Sequence, residues 1–261
     1  LGGVEPGEPV REYRYPDRHR GWLVTGYAEA RAVLSDVRFG SRAEGKRVPV
    51  HRPGAEPFIG RPAPPGWFID LDPPDHTRFR RLLAGWFTMR RAERLRPRIE
   101  RITEEHLDAV EAMPHPVDLV ETFAFPVPLL AVCELLGVPY TSRDMLRRHS
   151  SALFSLESTA ADGAAAMEEL TELFRTLIAH KRRHPGDDLL SALAGADDLT
   201  EDELAGAGVL LLTAGHETVA SMFSLGILTL LETPERRLAL RDDTAGVVEE
   251  LLRHLSVLHL G

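Results

Sequence analysis

Residues 199–231, LTEDELAGAGVLLLTAGHETVASMFSLGILTLL, decide the fold. Thr200, followed three residues later by Glu203, is typical of a helix N-cap with its capping box. From Leu204 to Leu231 the residues are apolar or small on nearly every face, which predicts a helix over residues 200–231 that is buried on all sides. At 1.5 Å per residue such a helix is about 48 Å long.

The same stretch is long enough to cross a bilayer. His216 and Glu217 would then lie near the centre of the span, where a carboxylate costs about 2.5 to 3.5 kcal/mol, and no Lys/Arg cluster flanks the segment. The composition, 43% hydrophobic and 27% charged, is that of a folded globular chain. We therefore expect a core helix and no membrane.

The rest of the chain predicts a mainly α protein. Trp22-Leu23-Val24-Thr25 predicts a short strand and Tyr27–Leu34 a short helix, whereas the Pro- and Gly-rich segment Gly40–Gly66 predicts a long loop. The other predicted helices cover 75–88, 90–112, 118–136, 142–156, 160–183, 187–194, 234–240 and 245–255. With no repeat and no linker in the sequence, we expect residues 1–261 to form a single domain.

Charge and cysteine content exclude several classes of protein. The chain has 31 Lys and Arg against 40 Asp and Glu, and a formal net charge of −9 argues against nucleic-acid binding. A single cysteine, Cys133, excludes an intrachain disulfide and a Cys-rich zinc site, so a cytoplasmic location is expected. We expect Cys133 to be a small buried hydrophobe.

A polar group interrupts the apolar helix at Ala214-Gly215-His216-Glu217-Thr218. Buried polar groups need partners, and Gly in a helix interior costs about 0.5 to 1 kcal/mol relative to Ala. One interpretation is a packing notch for a neighbouring helix. The other is a space for a flat ligand, to which Glu217 and Thr218 supply groups for proton transfer and hydrogen bonding.

This pentapeptide resembles the oxygen-binding motif on the long helix of the cytochrome P450 superfamily. Two further segments support the resemblance. Glu250-Leu251-Leu252-Arg253 matches the family's Glu-x-x-Arg signature, and His76-Thr77-Arg78-Phe79-Arg80, after Asp72-Pro73-Pro74-Asp75, is similar to the bacterial segment whose His and Arg hold the haem propionates. His and Arg four residues apart share one helix face. The resemblance implies a helical bundle around a long central helix, with a small β element near the N-terminus and without the fold's C-terminal part.

The resemblance also implies roles for individual residues around haem b. His76 and Arg80 would bind the haem propionates, and Ala214 and Gly215 would widen the groove over the iron. The other implied roles are proton delivery to bound oxygen by Thr218 and Glu217, bracing of the proximal core by Glu250 and Arg253, and an apolar substrate wall of Leu211, Val257 and Leu258.

The family's haem-binding loop, Phe-x-x-Gly-x-x-x-Cys-x-Gly, is absent from these 261 residues. The resemblance therefore implies an axial Cys beyond Gly261, and we expect the 261 residues alone to be inactive. The expected parent activity is insertion of one oxygen atom from O2 into a lipophilic small molecule, with electrons from a ferredoxin and its reductase. The alternative is a haem-free helper that binds and activates a partner enzyme such as a glycosyltransferase.

Overall fold

The computed structural model describes residues 7–47, 60–154, 158–233 and 239–257. These ranges form the mainly α fold with a small sheet that the sequence predicts. In chain order the elements are β1 (Val10–Arg14), β2 (Arg20–Val24), α1 (Tyr27–Ser35), α2 (Asp75–Ala84), α3 (Met89–Glu111), α4 (Pro126–Leu136), α5 (Arg143–Phe154), α6 (Ala160–Arg183), α7 (Leu189–Ala194), α8 (Glu201–Glu232) and α9 (Thr244–His254).

The long helix α8 begins as predicted. Thr200 is the N-cap, its hydroxyl accepts a hydrogen bond from the Glu203 amide, and the Glu203 carboxylate accepts one from the Thr200 amide. Two of the orphan amides at the helix start are therefore satisfied by the chain itself. This capping box fixes where the helix starts, and hence how its later residues are placed along the bundle.

The first half of α8 forms the centre of the core. Its buried residues pack with those of α4, α6 and α7, among them the fully buried Leu136 and Phe174. The residues of α8 buried in this half are Leu204, Ala205, Ala207, Gly208, Val209, Leu210, Leu212, Thr213 and His216. Burial of this half, which the apolar pattern predicts, places the helix among α4, α6 and α7, which position its side chains.

The second half of α8 differs from the prediction of burial on all sides. Its large exposed apolar residues are Val219, Phe223, Leu225, Leu228 and Leu231. The prediction is wrong there because the described part of the chain packs its main cluster against the first half only. By length and hydropathy α8 is the single helix of the described ranges able to cross a membrane, with a third of its most apolar window buried.

A loop crosses α8 at a point of backbone contact. Gly66 has a φ of +77°, which favours glycine, and it lies against the α8 backbone at Glu203 and Ala207. On the helix side, Gly206 faces the Pro65 carbonyl so closely that a Cβ on Gly206 would overlap it. Two glycines therefore allow the loop and helix to touch through their backbones.

The remaining elements follow the sequence with local differences. The predicted strand at residues 22–25 is β2, but its antiparallel partner β1 comes from a Pro- and Arg-rich segment without a strand pattern. The predicted helix 118–136 is interrupted: a π-helical turn at Val120–Ala124 precedes α4, which starts at a proline in its first turn. Residues 48–59 of the predicted loop and 234–238 of the predicted helix 234–240 lie outside the described residues.

Candidate functional site

A cavity of about 640 Å³ opens between α2 and α8. It brings together four residues singled out from the sequence, His76 and Arg80 on α2 and Leu211 and Ala214 on α8. Its other lining residues are Leu34, Ser35, Asp36, Val37, Phe39, Ser41, Phe68, Ile69, Leu71, Asp72, Pro73, Leu83, Phe87 and Leu210. The wall is mainly apolar. Its polar side chains include His76 and Arg80 of α2 and two carboxylates, Asp36, which accepts from Arg38, and Asp72, which accepts from the Ser41 amide.

Helix α2 is held so that His76 and Arg80 face this cavity. Arg78, on the other side of α2, donates through Nη2 to Glu203 Oε1 at 2.6 Å and through Nη1 to the Asp198 carbonyl at 2.8 Å. Phe79 is fully buried, and its ring stacks on Phe68 at 5.3 Å. These contacts tie α2 to the start of α8 and leave His76 and Arg80, four residues apart, on the open face.

The lining of the cavity can be compared with haem, the flat ligand with two carboxylates that the resemblance implies. Ala214 presents only a methyl group, so α8 leaves space beside the cavity at this turn. A guanidinium and an imidazole on one face of α2 match paired carboxylates, since Arg forms strong charge-assisted bonds to such groups. The residues present are therefore compatible with haem: His76 and Arg80 would hold its propionates, and Ala214 would leave room for its ring.

Thr218 lies one turn beyond Ala214, beside a second, mainly apolar cavity of about 560 Å³ that Val257 also lines. The Thr218 hydroxyl donates to the Ala214 carbonyl at 2.7 Å. A hydroxyl has a single proton and two lone pairs. In this arrangement Thr218 therefore presents acceptor lone pairs to its surroundings and donates only after the hydroxyl rotates away from Ala214.

Glu217 has a buried carboxylate oxygen, Oε1, that finds no hydrogen-bond partner among the described residues. Burial raises the pKa of Glu217 above its ordinary value. Its side chain is still 22% exposed, so the carboxyl group can exchange protons with solvent. A carboxyl with a raised pKa that touches both interior and solvent is suited to carrying a proton.

His216, which lies between Gly215 and Glu217 in the chain, is completely buried, and both of its ring nitrogens are hydrogen-bonded. Its Nε2 lies 3.1 Å from the Phe125 carbonyl, which can only accept, so Nε2 carries the hydrogen. Its Nδ1 then accepts from the Ser150 hydroxyl at 3.1 Å. Burial lowers the pKa of His216 to about 4. The imidazole is therefore neutral at physiological pH.

The pKa of His216 predicts a loss of stability in acid. The unfolded chain binds this proton near pH 6.5 and the folded chain near pH 4, so the stabilisation is present above pH 6.5 and lost as the pH falls toward 4. Glu217 acts in the opposite sense, because its raised pKa favours the protonated folded state at low pH. In the Glu217→Gln variant we expect His216 to account for a fall of about 3 kcal/mol in the free energy of unfolding between pH 7 and 4.

Urea unfolding at each pH measures this fall. The control is Glu217→Gln combined with His216→Phe, which keeps an aromatic ring and removes the titration. The difference between the two pH profiles isolates His216 from the other carboxylates. Parallel profiles would contradict a depressed pKa at this histidine.

The other predicted residues within the described ranges do not line the first cavity. Gly215 is not among the described residues that line it; a Cβ at this position would be 3.0 Å from the Val132 side chain on α4, which matches the packing interpretation. Glu250 and Arg253 form a bidentate pair on the exposed face of α9, with both bonds at 2.6 Å. Leu258 lies outside the described residues. Cys133 is buried as predicted, and burial raises its pKa to about 12.

Sequence reasoning missed the partners of His216. Ser150 and Phe125 lie 66 and 91 residues before it in the chain, and no local spacing announces the contacts. The signal in the sequence was a histidine within an apolar helix. A buried histidine requires hydrogen-bond partners, but the sequence does not show which residues they are.

Comparison with known proteins gives close matches over nearly the whole chain. Cytochrome P450 105C1 of a Streptomyces species is 44% identical over 257 residues, which cover 97% of this chain and 63% of that relative. Cytochrome P450 monooxygenase PikC of Streptomyces venezuelae is 40% identical over 94% of this chain and 59% of its own length. The crystal structure of GfsF superposes with a TM-score of 0.84 at 39% identity, covering 95% of this chain and 63% of that structure.

The matches extend over part of each relative. The chain spans about three fifths of the length of the curated relatives it matches. No protein-family model matches it.

Proposed function

The chain belongs to the cytochrome P450 family, and we propose that the protein is a haem-dependent monooxygenase that inserts one oxygen atom from O2 into a lipophilic small molecule. The observation that carries this proposal is the shared cavity: His76 and Arg80 on α2 face the same space as Ala214 on α8. The three motifs that resemble those of the family lie at residues 76–80, 214–218 and 250–253. The first two of these motifs meet at this cavity.

His76 and Arg80 would hold the propionates of haem b, with Ala214 leaving room for the ring. When bound, the haem supplies an iron that activates O2 for transfer of one oxygen atom to a substrate. The apolar wall, which includes Leu211, would exclude water and favour a lipophilic substrate. Val257 would offer an apolar contact in the second cavity, beside Thr218. Leu258, also proposed for the substrate wall, lies outside the described residues.

Glu217 and Thr218 would handle the protons. Glu217, with its raised pKa and partial exposure, takes up a proton from solvent and carries it inward. Thr218, whose own proton is bonded to the Ala214 carbonyl, accepts a hydrogen bond from a water molecule and so orients that water. Glu217 would therefore supply the proton, and Thr218 would orient the water that passes it on.

The names of the relatives support the wider setting. Several come from Streptomyces, and another, from Nocardia uniformis, is a nocardicin C N-oxygenase. We therefore propose a role in bacterial secondary metabolism, in the cytoplasm, with a ferredoxin and its reductase as electron donors.

Glu250 and Arg253, which pair on α9, would brace the proximal side of the haem site. The comparisons give no support to the alternative of a haem-free helper.

The carbon monoxide difference spectrum of the reduced, purified protein tests this function, with the intact mass measured on the same sample. We expect a Soret band at the position of a thiolate-ligated haem. A purified protein that carries no haem would overturn the proposal.

A further inference from the structure

We propose that His216 is a positioning residue that fixes the rotation of α8 about its axis, so that Ala214 and Thr218 face their cavities. The inference rests on the proposed function for its consequence in catalysis, but the geometry that carries it does not depend on haem. His216 is the central residue of the pentapeptide 214–218 that the sequence singled out, and none of the proposed catalytic roles uses it.

The position of His216 on the helix is the first observation. At 3.6 residues per turn, a residue two positions away lies about 200° around the axis. His216 is two positions from both Ala214 and Thr218, so it points to the opposite side of α8. That side is packed: His216 has no exposed surface, and Ala220, one turn further on, is 4% exposed.

Two hydrogen bonds to two different helices are the second observation. Nε2 donates to the carbonyl of Phe125 at the start of α4, and Nδ1 accepts from Ser150 on α5. The Phe125 ring also packs edge-on against the imidazole, with centroids 4.2 Å apart. Because both nitrogens are hydrogen-bonded to protein groups and the side chain has no exposed surface, the contacts of His216 define an orientation.

The consequence for the cavity side follows from helix geometry. Side-chain atoms lie about 5 Å from the helix axis, so a rotation of 20° moves them by about 2 Å. Displacements of about 1 Å can cost roughly 10²-fold in rate. The two hydrogen bonds of His216 form a tether on the packed side of α8. This tether therefore controls where the Thr218 hydroxyl and the Ala214 methyl lie.

Cysteine reporters test the tether in the chain without haem. Thr218→Cys places a thiol on the cavity side and Ala220→Cys places one on the packed side, while Cys133 is buried with a raised pKa and stays silent. We expect iodoacetamide to label position 218 at least about tenfold faster than position 220. In the His216→Phe background we expect this ratio to fall about fivefold, and in His216→Gln, which keeps an N–H donor for Phe125, to change less than twofold.

Leu212→Ala is the control for a merely structural role. Leu212 lies one turn before His216 and is fully buried, so its truncation loosens the packed side without touching either hydrogen bond. The 218/220 ratio should be retained in this variant. An unchanged ratio in His216→Phe, or an equal fall in Leu212→Ala, would overturn the proposal. If His216→Phe does not fold, Ser150→Ala takes its place, with a fall of about twofold expected and no fall contradicting the tether.

In haem-loaded protein the same tether should be visible in turnover. His216→Phe is expected to lower product formed per O2 consumed, and to add no further loss when Thr218 is already Ala. Additive losses would indicate that His216 acts by a route other than Thr218. Because the labelling ratio needs no haem, failure of haem binding would refute the proposed function and leave the test of the tether intact.

Discussion

Replacing Thr218 with Ala in the haem-loaded protein is expected to lower the rate of product formation by about 10²-fold, the scale at which a positioned proton-transfer group contributes. The substitution removes the lone pairs that Thr218 presents to its cavity. The helix itself should persist, because the Thr218 hydroxyl only adds a second hydrogen bond to a carbonyl, that of Ala214, which lies inside α8. Oxygen consumption should therefore continue while product falls.

Thr218→Ser is the matched control, since it retains the hydroxyl and loses only a methyl group. We expect Thr218→Ser to retain most of the product formed per O2 consumed. The measurement is the ratio of product to O2 consumed, by chromatography and an oxygen electrode. Equal ratios in the Ala and Ser variants would remove the hydroxyl from the mechanism.

Gly206→Ala should produce the largest loss of stability among single methyl additions to the long helix. A Cβ at Gly206 would overlap the Pro65 carbonyl, which belongs to backbone and cannot rotate away. The loop would have to leave α8, where Gly66 contacts the Glu203 carbonyl. Overpacking typically costs 1 to 3 kcal/mol, and a backbone collision belongs at the upper end, so we expect a loss of about 3 kcal/mol.

Gly163→Ala in α6 supplies the control for helix propensity. A Cβ at Gly163 meets nothing within 4 Å, so the same substitution should stabilise the protein by about 0.5 to 1 kcal/mol. Urea unfolding of both variants gives the comparison. A Gly206→Ala variant as stable as Gly163→Ala would show that the loop does not rest on α8 at this point.

The parts of the fold that the sequence predicts are those set by local rules. The capping box at Thr200 and Glu203 places the start of α8 because both residues satisfy amides within one turn. The spacing of His76 and Arg80 predicts a shared helix face because i and i+4 are neighbours on any α-helix. Both predictions are confirmed, and the structure adds that this face meets the Ala214 turn across one cavity.

The parts that the sequence does not predict depend on distant partners. Apolar residues on all sides of α8 predict burial, but burial needs something to pack against, and Phe223 and Leu228 remain exposed in the described structure. The strand β1 becomes visible only through its pairing with β2. In the same way, the bonds of His216 to Ser150 and Phe125 join segments that no periodicity relates.

Titration of the chain with haem, followed by absorbance, tests most directly whether the cavity between α2 and α8 is a haem site. Haem dimethyl ester, in which both propionates are blocked, is the matched ligand, and Arg101→Ala on α3 is the control for loss of an exposed guanidinium elsewhere. We predict that the chain binds haem at least about tenfold more tightly than the ester, as the loss of one charge-assisted bond would give. His76→Ala and Arg80→Ala should abolish this preference and Arg101→Ala should leave it unchanged; equal affinity for haem and ester, or no effect of either α2 variant, would contradict the account.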